Sequence, residues 1–374
     1  MIIWLASYPK SGNTWVRVFL NSLFYTDNNE SDINNLSIGQ FPNRKHFKDI
    51  TKNMDDINEF SKHCVNAQSK LNLSNQTIFL KTHHAYWQNG NYKFTDTQTT
   101  LGVIHIVRDP RNVITSLKNH YNFENYDDAL KFLLDDRKVI GTKNSEKEVD
   151  LPHIISSWKN HFNSWKKMNK NYLLIKYENL INFPEFEFEK ITKYLENLIN
   201  KKFEKTKILD SIKKSSFDNL KKKELSNGFI EAPISINQPI SFFNMGPKNN
   251  WRNLLHEKIS GKIEREFKKE MLELEIDYGV HYLDYKDNII IIEYEEIGDP
   301  VGTYYTAEKM EKLVIKIEND ENNYEQKKEI IENFLKKAKN YFNRKDDNEI
   351  ICKILKGGYW STLSKLPKRD MDTI

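Results

Sequence analysis

Residues Ser7–Thr14 read SYPKSGNT, between an apolar run, IIWLA (Ile2–Ala6), and a stretch with Trp15, Phe19, Leu20, Leu23 and Phe24 at helical spacing. A buried strand, a short loop and a helix in direct succession present backbone N–H groups at a helix N-terminus. The helix dipole there favours an anion, and Gly12 permits close approach. The outline is that of a triphosphate-binding loop, (A/G/S)xxxxGK(S/T), except that Asn13 stands where the lysine belongs and Lys10 comes three positions early.

Three more short apolar runs read as strands covered on both faces: TIFLK (Thr77–Lys81), GVIHIV (Gly102–Val107) and YLLIKY (Tyr172–Tyr177). Helical patterns lie between them. In DPRNVITSLKNHY, Asp109 is suited to the N-cap and Pro110 to the first helical position, with Val113, Ile114, Leu117 and Tyr121 on one face. Ile154, Ile155, Trp158, Phe162, Trp165 and Met168 form another apolar stripe. Strands alternating with helices predict an α/β fold, a P-loop-type parallel β-sheet flanked by helices.

The chain has 374 residues, enough for one main domain and an appendage. The character changes near Tyr285: NIIIIEYEE reads as one more strand, and TAEKMEKLVIKIENDENNYEQKKEIIENFLKKAKNYF as charge-rich helix. The expected division is residues 1–284 for the main domain and 285–374 for a small α+β or helical C-terminal appendage. A net charge of +4 is too balanced to point to nucleic acid or an anionic membrane, so any anion site is local. Cys64 and Cys352 are far apart and form no disulfide framework, which suits a reducing, cytoplasmic compartment. MIIWLA is too short for a leader, and no segment approaches the ~20 apolar residues of a membrane span. Composition leaves the oligomeric state open.

Ligands of open α/β sheets bind beyond the carboxyl ends of the strands. In this chain those positions carry Lys10 and Ser11, then Lys81 and His83, then Arg108, then Tyr177. No strand ends in an apolar run plus Asp suited to Mg²⁺, so no metal is expected. With the lysine moved, the loop suits a single 5′ phosphate, and Lys10 can reach the bridging oxygen where charge develops as a bond breaks.

YPKSGNTW, KTH (Lys81–His83), VRDPRNVITS (Val107–Ser116), KYENL (from Lys176) and GPKNNWRNLL (from Gly246) resemble, in order, the motifs of sulfotransferases that use 3′-phosphoadenosine 5′-phosphosulfate (PAPS). The resemblance spans Met1 to about Tyr278. It implies that Ser11, Gly12, Asn13 and Thr14 hold the 5′ phosphate, Lys10 the leaving-group side, and Trp15 the adenine. His83 takes the place of the catalytic base, with Lys81 beside it; alternation along a strand puts 81 and 83 on one face and His84 on the other. Arg108 and Ser116 match the pair that grips the ribose 3′ phosphate. Tyr177, Ser215 and Phe217 match adenine contacts. Where the family places an arginine–lysine pair ahead of a glycine, this chain has Asn244 and Met245; Gly246 still offers a backbone N–H, and Lys248 is the candidate replacement charge. Arg111 reads as structural or as a secondary phosphate contact, and His105 and His120 as structural.

The implied partner is a small-molecule or carbohydrate acceptor. Residues 28–75, with the aromatic-basic run FPNRKHF (Phe41–Phe47), and the loop after Tyr121 are expected to line its pocket. Two other readings compete: a P-loop kinase or nucleotidase, and a non-catalytic sensor of PAPS or its bisphosphate product.

Overall fold

The computed structural model describes residues 1–26, 32–54, 56–74, 76–141, 151–168, 170–233, 240–274 and 276, together with three later strands. The chain divides into two compact units, Met1–Ile263 and Glu264–Ile374.

In the first unit the elements that place the site are β1 (Ile2–Ser7), α1 (Asn13–Tyr25), β2 (Gly39–Gln40), β3 (Ile78–Thr82), β4 (Thr100–Val107) and α2 (Pro110–His120). They are followed by α3 (Trp158–Lys166), β5 (Tyr172–Lys176), α4 (Tyr177–Asn182), α5 (Pro184–Ile199), α6 (Lys205–Lys214) and α7 (Phe217–Asn227). The five strands form one sheet in the order β2-β3-β1-β4-β5, with every pairing parallel. All six residues of β1 are buried, as its continuous hydrophobicity requires. Ile3 and Leu5 pack with Val16, Phe19 and Leu20 of α1 and Phe188, Ile191 and Leu195 of α5. Ile2, Trp4 and Ala6 face the other way, against Phe41, Phe47, Phe60, Phe94 and Trp165. Burying each such large side chain stabilises the fold by about 1.5–3 kcal/mol. The two-residue period of β1 thus divides one apolar run between two cores, leaving its carboxyl end to deliver the loop.

Asp109 caps α2 as its sequence suggests, accepting from the Arg111 backbone N–H at 2.8 Å, with Pro110 in the first turn. The apolar stripe from Ile154 behaves differently. His153–Ile154 pair with Val139–Ile140 as a short antiparallel ladder, and Ser156 takes a positive φ of 60°. Helix α3 starts only at Trp158, capped by Ser157.

In the second unit, β6 (Val280–Lys286), β7 (Ile289–Glu295) and β8 (Met310–Lys316) form an antiparallel sheet in that order. β7 is the strand expected from NIIIIEYEE. β8 corrects the helical reading of the segment after it: Met310–Lys316 pairs with β7 from Glu295↔Met310 to Ile289↔Lys316. Its Leu-Val-Ile centre suits a strand once a partner is present, and that partner overrides the local charge pattern. The rest of that segment lies outside the described residues. Among the described residues no helix is long and apolar enough to cross a membrane.

Candidate active site

The loop from β1 to α1 owes its shape to two left-handed residues, Lys10 (φ 66°) and Gly12 (φ 98°). A Cβ on Gly12 would run into the ring of Tyr177, so only glycine lets the loop and the start of α4 meet. Asn13, where a triphosphate loop carries lysine, is buried and turned inward. Its Nδ2 donates to the Leu5 carbonyl at 2.9 Å and to Ser7 Oγ at 3.1 Å, tying the start of α1 to the end of β1. Ser11 Oγ and Trp15 Nε1 are buried with no hydrogen-bond partner among the described residues.

His83 follows β3 and reaches across to β1. Its Nδ1 lies 2.8 Å from the Ser7 carbonyl, which can only accept, so Nδ1 carries the hydrogen and Nε2 the lone pair. Burial, and next the charge of Lys81, hold its pKa well below the usual histidine value. His84 has the opposite tautomer and a different setting. Its fully buried Nδ1 accepts from Trp87 Nε1 at 3.2 Å and from the Ile154 backbone at 3.1 Å. The ring stacks on Phe94, with centroids 4.8 Å apart.

Lys81 is drawn to a group that the sequence did not advertise. Glu231 receives Lys81 Nζ at 2.9 Å on one oxygen and Arg17 Nη2 at 2.7 Å on the other. Burial alone would raise the Glu231 pKa, but the two cations hold it well below the carboxylate range. Lys10 Nζ sits 3.8 Å from the centroid of Phe242. Burial first, then the Arg108 and Lys81 charges, lower its pKa to about 7. Glu224 holds Phe242 there, accepting from the backbone N–H groups of Phe242 at 2.6 Å and Phe243 at 2.9 Å.

Arg108, at the end of β4, is fixed from three sides. Nη1 donates to the Lys10 carbonyl at 2.9 Å and to Ser116 Oγ at 3.1 Å, and the guanidinium lies 4.2 Å from the Tyr177 ring centroid. Its Nε is buried with no partner among the described residues. Arg111 is engaged elsewhere, in a bidentate pair with Asp109 (Nη2 to Oδ2 2.8 Å, Nε to Oδ1 3.1 Å) and stacked on Trp251 at 4.0 Å.

One cavity of about 830 Å³ brings these groups together. Of the residues expected at the site, Lys10, Gly12, Asn13, Thr14, Trp15, Lys81, His83, Arg108, Ser116, Tyr177, Phe217 and Gly246 border it. Ser11, Ser215 and Lys248 do not. Ser11 is fully buried within the loop, Ser215 closes α6 by donating to the Ile212 carbonyl at 3.1 Å, and Lys248 is exposed. The far wall includes His120, Tyr121, Ile140, His153, Ile230 and Phe242. His120, read from sequence as structural, therefore faces the cavity. His105 is buried as expected, with Nδ1 2.6 Å from the Tyr172 hydroxyl. The FPNRKHF run does not border the cavity; Phe41 and Phe47 are fully buried in the core, and Gln40, just before them, borders it instead. An apolar core had a stronger claim on two phenylalanines than a pocket did.

A family model described as "Sulfotransferase domain" matches residues 2–275. The chain belongs to the sulfotransferase family. Sulfotransferase 1B1 of Canis lupus familiaris is 24% identical over 279 residues, covering 71% of this chain and 82% of that protein. Sulfotransferase 2A1 of Macaca fascicularis is 26% identical over 175 residues, 46% of this chain and 57% of that relative. Among solved structures, the crystal structure of mouse sulfotransferase SULT7A1 complexed with PAP is 22% identical, with a TM-score of 0.46. The alignment covers 72% of this chain and 84% of that one. This sulfotransferase keeps the parallel sheet and the loop after β1, while carrying Asn244 and Met245 on the cavity wall.

Proposed function

We propose that the protein transfers the sulfuryl group of PAPS to a hydroxyl or amine of a small-molecule or carbohydrate acceptor. The observation that carries this reading is the setting of Arg108, which we read as a second anion position. Arg108 is held by Lys10 O of the first loop, by Ser116 Oγ and by the Tyr177 ring, with a buried unpartnered Nε. A nucleotide with phosphates at both 5′ and 3′ would use both positions, and ATP would not. The unpartnered Trp15 Nε1 and the tight approach at Gly12 also fit such a ligand. Residues 10–15 would hold the 5′ end, Arg108 and Ser116 the 3′ phosphate, and Trp15, Tyr177 and Phe217 the base.

When bound, PAPS supplies an activated sulfuryl group whose transfer leaves a bisphosphate. His83 takes the acceptor's proton on Nε2 while its Nδ1–H stays on the Ser7 carbonyl, so the ring does not turn during proton transfer. Lys10 neutralises the charge that gathers on the bridging oxygen. Burial first, and then the charge of Lys81, itself paired with Glu231, keep His83 neutral as a base. In this reading the transferase comes first and an appendage follows; the division expected at 284/285 would fall inside β6, which pairs with β7, so we place the appendage's start before that strand.

Calorimetry tests the reading without the acceptor. Adenosine 3′,5′-bisphosphate should bind without metal and more tightly than ATP with Mg²⁺; the reverse order favours the kinase reading. Arg108→Ala should weaken the bisphosphate by about 10²-fold, as expected for losing a charge-assisted contact, and leave adenosine 5′-monophosphate nearly unchanged. Equal losses for both ligands would remove the 3′-phosphate assignment.

Lys10 makes this binding pH-dependent. With its pKa at about 7 in the free protein, the ammonium form is lost as pH rises past 7, whereas a bound anion favours that form. Bisphosphate affinity should therefore fall by up to tenfold per unit between pH 7 and 8.5. In Lys10→Arg, always charged, the profile should be flat over that range; an unchanged slope would show that another group titrates.

A further inference from the structure

Ser116 has a second partner that the motifs did not reveal. Asn249 lies between the one-turn helix Gly246–Lys248 and Trp251, 133 residues further along the chain, and its carboxamide is docked flat on α2. Nδ2 donates to the Asn112 carbonyl at 3.0 Å and to Ser116 Oγ at 3.3 Å, while Oδ1 accepts from Thr115 Oγ1 at 2.7 Å. The next turn repeats the attachment, with the Trp251 backbone donating to Asn112 Oδ1 at 3.0 Å.

A serine hydroxyl has two lone pairs and one hydrogen. Arg108 Nη1 and Asn249 Nδ2 both donate to Ser116 Oγ, and among the described residues Ser116 donates to nothing. Both acceptor sites of the hydroxyl are therefore filled by protein N–H groups. The hydrogen is left as the group's one contribution to a ligand, and Ser116 borders the cavity.

We propose that Asn249 is a positioning residue for the 3′-phosphate site: by donating to Ser116 Oγ together with Arg108, it commits the serine hydroxyl to donate to a phosphate oxygen. This deepens the proposed function and rests on it. Asn244 and Met245 supply no cation on the same wall, so the site depends on one guanidinium and one oriented hydroxyl. Asn249 keeps that hydroxyl oriented.

The test compares adenosine 3′,5′-bisphosphate with adenosine 5′-monophosphate by calorimetry on full-length Asn249→Ala, Ser116→Ala and the double variant. Asn249→Ala should weaken the bisphosphate about tenfold and leave the monophosphate unchanged, and adding it to Ser116→Ala should cost nothing further. Equal loss on both ligands, or additive losses in the double variant, would overturn the proposal, because a merely structural loop anchor behaves that way. Should Asn249→Ala fail to fold, Asn249→Ser removes the Nδ2 donor without adding a charge, and the same selective loss is expected. Arg108→Ala separates the two levels. If it is selective for the bisphosphate and Asn249→Ala is not, this inference alone fails; if neither is selective, the 3′-phosphate reading fails with it.

Discussion

Replacing His83 with alanine is expected to lower the rate of sulfuryl transfer by 10²- to 10⁴-fold, the usual range for a lost general base, while adenosine 3′,5′-bisphosphate binds as before. The expectation follows from one hydrogen bond. Because Nδ1–H is tied to the Ser7 carbonyl, Nε2 is the one nitrogen of the ring with a lone pair. Among the described residues, no other histidine on the cavity wall is tied in this way to the loop that would hold the 5′ phosphate. His84→Ala is the control: it removes a ring buried between Phe94 and Trp87 and should reduce thermal stability, with the surviving folded protein still transferring. Since the His83 pKa is held well below the usual value, the wild-type rate should not fall with acid until well below pH 6.5. A rate lost between pH 7 and 6, or a His83→Ala enzyme with wild-type turnover, would take the base role away from this residue. A wild type that binds the bisphosphate yet transfers to no acceptor would favour the sensor reading.

Acid should unfold the first unit from an unusually high pH. His153 and His161 are buried, and burial, joined for His153 by the charge of Lys81, lowers each pKa to about 3. Above pH 6.5 both rings are neutral whether the chain is folded or not, and their titration costs nothing. As pH falls below 6.5 the unfolded chain takes up protons that the folded one refuses. Stability then declines by about 1.4 kcal/mol per pH unit for each ring. By pH 3.5 the two together amount to roughly 8 kcal/mol, comparable with the whole stability of a typical domain. Buried His84 and His105, whose pKa values are also depressed by burial, act in the same direction. Urea unfolding at pH 7.5, 6 and 5 should show the loss beginning just below 6.5. His161→Phe keeps a ring against Tyr8 and His105 and should make the dependence shallower by one proton. A stability that holds level down to pH 4.5 would refute this account.

The parts of the fold that were legible in the sequence are those whose causes are local. Strand β1, the loop and α1 are contiguous, so a run of buried residues, a glycine and a helical stripe declare them together. The cap at Asp109 needs three adjacent residues. Strand alternation does not separate His83 from His84, because β3 ends at Thr82; their hydrogen bonds do. What could not be read are contacts between distant segments. Glu231 meets Lys81 across 150 positions, and an acid in a loop carries no mark of that. Asn249 looks like any asparagine in a turn until α2 is beside it. The basic residues between Phe41 and Phe47 suggest a pocket, but both rings pack in the core with Trp4 and Phe94, where they exclude water. β8 was hidden for the same reason: its charges are local, but its pairing with β7 is not.

The inward turn of Asn13 limits where this loop can go by mutation. A lysine at that position would restore the letters of a triphosphate loop, but its side chain could not both reach the cavity and replace the amide bonds to Leu5 O and Ser7 Oγ. Those bonds hold the end of β1, and the Ser7 carbonyl there is the atom that fixes His83. Under the proposed function, Asn13→Lys would thus loosen the hold on His83 without supplying Mg²⁺ ligands, and transfer should fall with no gain of ATP binding. The position that a triphosphate loop gives to its lysine is thus, in this chain, an internal strut between β1 and α1.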